Sequence, residues 1–492
     1  MRWVPLRQWG KWVVPVLLVS LGLALPATAA AGDGSEKLDP SVKALLHSPL
    51  TTPWTKLRVI AIGDAEAADD TGAFRHNRDL EAVDGDSLTI AAGELLKLVK
   101  SPAVEFVTAD APIAATSLLT APTTLQTLYP QVIGAPAAWG RGLRGEGVGI
   151  AVIDSGVAPL ADFGSRLVDV ALDGRTGDAV GHGTFVAGVA GGSSGDGRYV
   201  GIAPGAKIYA LNVSRAGGTY TSDVIDAIDW VLANHAAYNI RVANLSLNEA
   251  VTSSYLQNVL CTAVERLWRA GVVVVVSSGN SGAGSISHAP ANDPFAITVG
   301  AVDLNGTLDS GDDRVASWSS SGRTVDDVDK PELLAPGRQV VATLPSRSTL
   351  SALVPLANLI APGYVAMNGT SFAAPQVAGA AAIILQQHPE YTPDQVKWLL
   401  AQEARSVSGS SGRALDLGRA VAYTGQPASA NDGTTPTTYG LVDSNGATFD
   451  AAATWDAAAT WDAAATWSAA ATWDAAATWD AAATWDAFEL WD

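Results

Sequence analysis

Three segments of the sequence each carry a residue type that hydrolytic enzymes use for catalysis. Asp154 closes the apolar run GIAVID, His182 lies between glycines in GHGTFVAG, and Ser371 follows a Gly-Thr pair in NGTSFAAPQVAG. A serine hydroxyl becomes a strong nucleophile when a histidine takes its proton, and a carboxylate that orients the histidine completes the set. The three residues therefore predict an acyl-transfer centre, provided that the fold brings them together.

Each segment alone also has an ordinary structural interpretation. An acid after a strand is commonly a turn residue, and a polar residue at a helix start is commonly a helix cap. We expect Ser371 both to cap the helix that begins there and to act as the nucleophile. The chain order Asp, His, Ser on three separate elements favours the catalytic interpretation, because it is one of the known orders of such a triad.

The elements around these residues indicate an α/β domain. Apolar runs alternate with helical patterns along the chain, among them GVGIAVID, KIYALNV, VANLSL, TSDVIDAIDWVLANH, VVVVVSSG and FAITVGAV. Strands that are apolar on both faces and separated by helices are typical of a mostly parallel β-sheet with helices on both faces. Asp154 would then lie at the carboxyl edge of the sheet, where such folds bind ligands.

Together, AVIDSGV, GHGTFVAG and NGTSFAAPQVAG resemble the three motifs of the subtilisin-like serine proteases, or subtilases. The resemblance covers residues 132–423 and implies a subtilisin-like fold in which Ser371 is the nucleophile, His182 the general acid and base, and Asp154 its orienting carboxylate. VVVVVSSGNSG resembles the family's strand that delivers an oxyanion-hole asparagine, here Asn280. From the residues alone, a turn-forming Asn-Ser-Gly is an equally good interpretation.

The same resemblance predicts the substrate cleft. The expected substrate-binding residues are Ser246, Leu247 and Asn248 in NLSLNEA, and Gly217 and Gly218 in SRAGGTYTSDV, where relatives pair an edge with an extended peptide. Asn248 and Glu249 occupy positions where family members commonly have two glycines. We therefore expect a primary specificity pocket that is narrowed or made polar.

The N-terminal residues have the pattern of a secretory signal peptide. Basic residues precede an apolar run from Trp12 to Leu25, and Ala27-Thr28-Ala29 fits a cleavage site. The apolar run is shorter than the roughly 20 residues that a membrane-spanning helix needs, which favours a cleaved signal over a membrane anchor. We expect residues 1–29 to direct secretion and the mature protein to be free of the membrane.

The rest of the chain divides by pattern into further segments. Residues 30–112 resemble a subtilase propeptide, which implies an intramolecular inhibitor, and its core at 57–112 reads as a small α+β unit of strand, helix and strand. A linker is expected at 113–131, the catalytic domain at 132–423 and a second linker at 424–449. A tail of hexapeptide repeats fills residues 450–492.

The tail repeats the sequence DAAATW, with a tryptophan at every sixth position from Trp455 to Trp491. An even step keeps all the indoles on one side of a strand, whereas a helix of about 3.6 residues per turn would scatter them. A β-like repeat and a disordered tail both stay open. Self-association, attachment to cell-wall carbohydrate and recognition by an export system are not separated by the residues.

Composition limits the partners and cofactors. The formal net charge of −19 argues against nucleic acid and anionic membranes, and the single Cys261 can form no intramolecular disulfide. No cofactor is expected for the chemistry. Structural calcium stays possible without assigned ligands, because the acids after the first motif are scattered and expected to be solvated, namely Asp162, Asp169, Asp173 and Asp178.

Two classes of function follow. The first is a secreted serine endopeptidase that hydrolyses peptide bonds through an acyl-enzyme and is made as an inactive precursor. The second is an inactive binding scaffold tethered by its tail, which predicts the loss of at least one catalytic residue; all three are present. A hydrolase with a Gly-x-Ser-x-Gly elbow is disfavoured, because no such motif is followed by a suitable histidine.

Overall fold

The computed structural model describes residues 34–48, 51–65, 74–115, 128–216 and 218–437. The predicted signal peptide, the repeat tail and Gly217 lie outside the described residues, as do most of the first linker and the end of the second.

The N-terminal unit is a four-stranded antiparallel sheet with two helices. Its strands occur in the order β2-β3-β1-β4, and the strand, helix and strand predicted between residues 57 and 112 are present. One face of the sheet, with Ile60, Ile62 and Phe106, joins the main hydrophobic core of the chain, while the other face packs against the helices. The bounds are α1 Pro40–His47, β1 Lys56–Gly63, β2 Phe74–Leu80, β3 Gly85–Ala91, α2 Ala92–Leu98 and β4 Val104–Ala109.

A short strand, β5 (Pro112–Ala115), leads out of this unit into the larger domain. It is the middle strand of a three-stranded antiparallel sheet, between β9 (Thr219–Tyr220) and β11 (Leu247–Glu249). The predicted linker at 113–131 is therefore wrong at its first residues, which form a strand. It is also wrong at its last residues, where helix α3 (Tyr129–Val132) begins.

The large domain is built on a mostly parallel sheet in the order β21-β22-β17-β13-β12-β10-β6-β8-β7, with β14 paired to β13. All six residues of β6 and all five of β12 are buried. Because successive strand residues point to opposite faces, both faces of the sheet are covered. This confirms the predicted α/β fold. The central strands are β6 Gly149–Asp154, β7 Leu167–Val170, β8 Lys207–Asn212, β10 Ile240–Leu245, β12 Val273–Ser277, β13 Ile297–Asp303 and β17 Leu333–Pro336.

The longer helices cover this sheet. Helices α5 and α9 pack against each other, as do α6 and α7, and each of these pairs also contacts the strands. No helix among the described residues combines the length and apolar character needed to cross a membrane. The helices are α4 Ala135–Trp139, α5 His182–Gly191, α6 Thr221–Tyr238, α7 Val259–Arg269, α8 Thr349–Leu353, α9 Thr370–Gln387, α10 Pro393–Gln402 and α11 Leu417–Ala420.

Short strands complete the domain. Strands β18 and β20 form a ribbon that leads directly into α9 and so fixes the approach to Ser371. Part of the second predicted linker is packed rather than free, because the backbone N–H of Thr437 donates to Glu265 on α7 at 2.8 Å. The short strands are β14 Arg314–Val315, β15 Gly322–Arg323, β16 Asp329–Lys330, β18 Val340–Thr343, β19 Leu359–Ala361, β20 Tyr364–Met367, β21 Arg405–Ser406 and β22 Arg413–Ala414.

Candidate active site

The predicted aspartate and histidine are hydrogen-bonded to each other. Asp154 is the last residue of β6 and His182 is the first residue of α5, as expected from the sequence. Nδ1 of His182 lies 2.7 Å from Oδ1 of Asp154, and both side chains are buried. With its proton on Nδ1 donated to the carboxylate, the imidazole has Nε2 available to accept another proton.

Glycines on both sides of the histidine make this contact sterically possible. Gly181 has a φ of +97°, a conformation that residues with a side chain rarely adopt. A Cβ on Gly183 would lie 2.2 Å from the carbonyl oxygen of Gly156 and 3.0 Å from Cβ of Asp154. Glycine at position 183 therefore allows α5 to start directly against the end of β6.

Asp178 organises the start of α5. Its carboxylate accepts hydrogen bonds from the backbone N–H groups of Gly181 and Thr184 at 2.7 and 2.9 Å, and from the hydroxyl of Ser155 at 2.9 Å. Burial raises its pKa. The expectation that Asp178 is a solvated surface acid was therefore wrong. The sequence did contain an indication of this role, because Asp178 lies just before a helix start, where carboxylates accept hydrogen bonds from the first backbone N–H groups.

The electrostatic environment of His182 favours its protonated form. Burial alone would lower the pKa of this imidazole, but the carboxylates of Asp154 and Asp178 outweigh it and the pKa is raised. An imidazolium formed here is stabilised by an adjacent negative charge. The pair is thus suited to accept a proton from a neighbouring hydroxyl and to release it later.

Ser371 is the second residue of α9. The expectation that it caps this helix was wrong, because the cap position is Gly369 and no side chain caps the helix start. The hydroxyl of Ser371 donates to the carbonyl oxygen of Ser246 at 3.3 Å, and the hydroxyl of Ser246 donates to the carbonyl oxygen of Ser371 at 2.8 Å. The segment between β10 and β11 thus fixes the position of the candidate nucleophile.

The sequence neighbours of Ser371 link it to the other predicted residues. The ring of Phe372 lies 5.6 Å from the imidazole of His182, centroid to centroid. On the other side, the backbone N–H of Thr370 donates to Oδ1 of Asn280 at 3.0 Å. Nε2 of His182 is buried without a hydrogen-bond partner among the described residues. Ser371 is thus flanked in the chain by residues that contact His182 and Asn280, while its own hydroxyl bonds to Ser246.

The side-chain oxygen of Asn280 is hydrogen-bonded to Thr370. Its Oδ1 also accepts from the hydroxyl of Thr370 at 3.2 Å. Because the oxygen acts as acceptor, Nδ2 is the group that can donate to a negative charge. A donor beside a nucleophile at a helix start is the arrangement that stabilises a tetrahedral oxyanion.

The predicted substrate-binding residues flank β5. Leu247 and Asn248 belong to β11, on one side of β5, and Gly218 directly precedes β9, on the other side. Gly218 has a φ of +115°, which favours glycine. The position of Gly217 lies outside the described residues. An extended segment of the same chain thus pairs with both predicted edges by strand addition.

The N-terminal unit is also fixed to the large domain by polar contacts. Asp110, between β4 and β5, is buried and accepts from the N–H and the hydroxyl of Ser222 at 2.9 and 2.8 Å. Arg58 pairs with the same carboxylate at 2.6 Å.

A second set of contacts joins the N-terminal unit to two helices of the large domain. The N–H of Ala82 donates to Asp229 on α6, and Arg266 on α7 pairs with Asp84 at 2.6 Å. These contacts hold β5 against its two neighbouring strands.

No metal-ligand cluster forms from the four acids considered in the sequence. Within the described part of the chain, the group whose ligand atoms lie within 4.8 Å of one another is His76, Asp79 and Asp86, on the N-terminal unit. Asp162, by contrast, accepts a hydrogen bond from Tyr364 at 2.6 Å. Calcium ligands therefore stay unassigned.

Comparison with known proteins identifies a family. The sequence model described as the subtilase family matches residues 145–441. Serine protease AprX of Bacillus subtilis is 39% identical over 274 residues, which are 53% of this chain and 62% of AprX. Subtilisin Savinase of Lederbergia lenta is 36% identical over 282 residues, which are 57% of this chain and 91% of that protein.

A solved structure shows the same fold. Fervidolysin from Fervidobacterium pennivorans, described as a keratinolytic enzyme related to subtilisin, superposes with a TM-score of 0.60 at 23% sequence identity. The match covers 76% of this chain and 62% of fervidolysin. This chain thus spans less than two thirds of the length of both AprX and fervidolysin.

Proposed function

Because the chain belongs to the subtilase family, we propose that it is a secreted serine endopeptidase made as an inactive precursor. The observation that carries this proposal is the buried 2.7 Å hydrogen bond between His182 and Asp154, with the ring of Phe372, the residue after Ser371, 5.6 Å from the imidazole. The substrates are proteins or peptides, and no cofactor takes part in the chemistry.

In the proposed reaction, Oγ of Ser371 turns from the carbonyl of Ser246 and attacks the carbonyl carbon of the substrate. Its proton passes to Nε2 of His182, and Asp154 stabilises the imidazolium that forms. The tetrahedral oxyanion accepts a hydrogen bond from Nδ2 of Asn280. His182 then protonates the leaving amine. Water hydrolyses the acyl-enzyme by the reverse proton path and restores Ser371.

The precursor part of the proposal is supported by β5. A strand that fills the space between β9 and β11 leaves no edge for a substrate to pair with. The unit before it contacts α6 and α7 through Asp229, Asp84 and Asp110. We infer that residues 30–112, with the following residues of β5, act as an intramolecular inhibitor until the chain is cut at a bond beyond the end of β5.

Secretion is supported by the signal pattern of residues 1–29. An exported protease has to stay inactive until it has left the cell, so a signal and an inhibitory segment are expected together. The tail at 450–492 stays assigned to self-association, the cell wall or export, and it leaves the proposed chemistry unchanged.

The proposed function is tested by incubating the full chain with a fluorophosphonate probe and recording its intact mass over time. We expect one probe adduct, because the activated serine displaces fluoride, and a new N-terminus between residues 116 and 128. The Ser371→Ala chain is the control and should gain no adduct. Absence of labelling after the N-terminal segment has been removed by another protease would contradict the proposal and favour the binding scaffold.

Replacing Asn280 by alanine tests the oxyanion assignment. We expect kcat to fall by about 10² to 10³, the loss known for removing such a donor in a subtilisin, with KM nearly unchanged. The reason is that Nδ2 interacts with the charge that develops in the transition state and only weakly with the bound peptide. Steady-state kinetics on a peptide anilide give both constants.

The control for Asn280 is Thr370→Val, which removes the hydroxyl contact to Oδ1 at 3.2 Å but keeps Nδ2. A smaller loss of kcat is expected from this change. If Thr370→Val and Asn280→Ala reduce kcat equally, the amide acts by holding α9 in place and not as an oxyanion donor.

A further inference from the structure

The pairing of β5 with β11 defines how a substrate would lie against Ser371. Leu247 pairs with Ala115 and Asn248 pairs with Ala114. In an antiparallel pair, the next residue of a peptide that continues this register would fall opposite Ser246, whose carbonyl oxygen is 3.3 Å from Oγ of Ser371. A peptide in the place of β5 therefore presents the residue opposite Ser246 to the nucleophile.

Side chains alternate between the two faces of a strand, so residues two apart share a face. The residue opposite Ser246, which carries the scissile carbonyl, thus points to the same face as Asn248. A diagonal cross-strand pair of this kind is separated by about 7 to 8 Å, and the distance between the two Cβ atoms is somewhat shorter. Asn248 is therefore a neighbour of the substrate side chain next to the cut.

Asn248 is directed at the segment that carries the oxyanion residue. Its side chain is only 5% exposed, and Nδ2 donates to the carbonyl oxygen of Ser277 at 3.0 Å. A Cβ on Gly279 would lie 3.7 Å from this nitrogen. The carboxamide thus spans from β11 to the end of β12.

Two polar atoms beside this contact are buried without hydrogen-bond partners among the described residues. They are Oδ1 of Asn248 and Oγ of Ser278. A buried polar group without a hydrogen-bond partner destabilises the fold, so such atoms commonly bind a water molecule or a ligand. Both can bind a hydroxyl group, because amide oxygen accepts and a serine hydroxyl does either.

We propose that Asn248 determines the substrate residue on the acyl side of the cut, so that the enzyme prefers small hydroxyl residues, Ser and Thr, and excludes large aromatic ones. This inference rests on the proposed endopeptidase function. In the sequence, the residue after Ala115 is Thr116, which belongs to the preferred class. The carboxamide occupies the pocket and so leaves too little space for a large substrate side chain. Its oxygen can accept a hydrogen bond from the hydroxyl group of a substrate Ser or Thr.

Glu249, the next residue of β11, has a different role. It accepts from the hydroxyl of Thr221 and from Nδ2 of Asn258, both at 2.8 Å. Burial raises its pKa to about 7. Because alternate residues face opposite sides of β11, Glu249 points away from the scissile residue and towards the starts of α6 and α7. Of these two residues of β11, Asn248 is therefore the one that faces the scissile residue.

The test measures kcat/KM of the matured enzyme on peptide anilides that differ only at the residue before the cut: Ala, Ser, Thr, Val, Leu and Phe. For the native chain we expect kcat/KM of the Thr peptide to exceed that of the isosteric Val peptide by roughly 2- to 10-fold, because one hydrogen bond contributes a free energy of that size. Phe should fall at least about 10-fold below Ala, because overpacking is costly. A native preference for Phe or Leu would overturn the proposal.

Two variants separate size from polarity. Asn248→Ala should raise the Phe/Ala ratio about 10-fold by opening the pocket, and Asn248→Leu should keep Phe excluded while abolishing the Thr/Val preference. Unchanged ratios in both variants would overturn the proposal. If neither variant folds, the ratios of the native chain still decide it.

Asn305→Gly is the matched control. This exposed asparagine has a φ of +48°, so glycine is tolerated there, and its substitution should leave every ratio unchanged. Fluorophosphonate labelling of each preparation distinguishes the two levels of failure. A labelled enzyme with the wrong preference contradicts the role of Asn248, whereas an unlabelled chain contradicts the proposed function itself.

Discussion

Replacing Ser371 by alanine is expected to lower kcat by roughly 10⁶, the loss known for the serine or histidine of a subtilisin triad. The N-terminal unit should also stay attached, because self-cleavage needs the same nucleophile. The physical reason is that Ser371 supplies the hydroxyl that attacks the substrate in the proposed reaction, and the neighbouring hydroxyl of Thr370 is bound to Asn280. The check is the rate of peptide hydrolysis together with intact mass.

Non-additivity makes this experiment specific. If Ser371 and His182 act as one unit, His182→Ala alone should cost about as much as Ser371→Ala, and the double variant little more than either. Ser310→Ala, at an exposed serine, is the matched control and should keep native activity. The triad would be contradicted if the two reductions in kcat multiplied in the double variant, or if the Ser371→Ala chain still cleaved itself.

The sequence predicted the fold and the placement of Asp154 and His182 because each depends on local signals. Asp154 ends a buried strand and His182 begins a helix between glycines, and both signals are confined to a few residues. Their 2.7 Å contact follows once the two elements lie side by side in the parallel sheet. Local pattern and fold class together were sufficient here.

Strand β5 could not be predicted in the same way. Residues 113–115 were assigned to the linker at 113–131, because that segment is rich in threonine, alanine and proline and has no alternation of its own. Its strand conformation comes from partners more than 100 residues away, Tyr220 and Leu247 among them. Non-local pairing of this kind has no signal within the segment.

The helix start at Ser371 was misjudged for a related reason. Gly-Thr-Ser before an apolar run fits a serine cap, but the helix begins one residue earlier, at Thr370. The hydroxyls at this helix start are engaged by Asn280 and Ser246, which belong to two other strand ends. Tertiary contacts thus replaced the local cap and left Ser371 in the first turn of α9.

Replacing Asp154 by asparagine is expected to lower kcat by about 10⁴, because the amide holds the imidazole in the wrong tautomer while the geometry stays intact. In the native chain, Asp154 accepts both from His182 and from the N–H of Ser155, each at 2.7 Å. An asparagine that keeps one of these acceptor contacts loses the negative charge that stabilises the imidazolium.

The same substitution should change the pH dependence in a definite direction. The carboxylates of Asp154 and Asp178 raise the pKa of His182, and the imidazole accepts a proton only when it is neutral, so native activity rises with pH through this raised pKa. Without the charge at position 154 the pKa falls, and the rising limb of kcat/KM moves to lower pH even as the maximum drops. Asp169→Asn, at an exposed acid, should leave both unchanged. A limb that stays in place, or activity within tenfold of native, would contradict the assignment of Asp154 as the carboxylate that orients and charges the histidine.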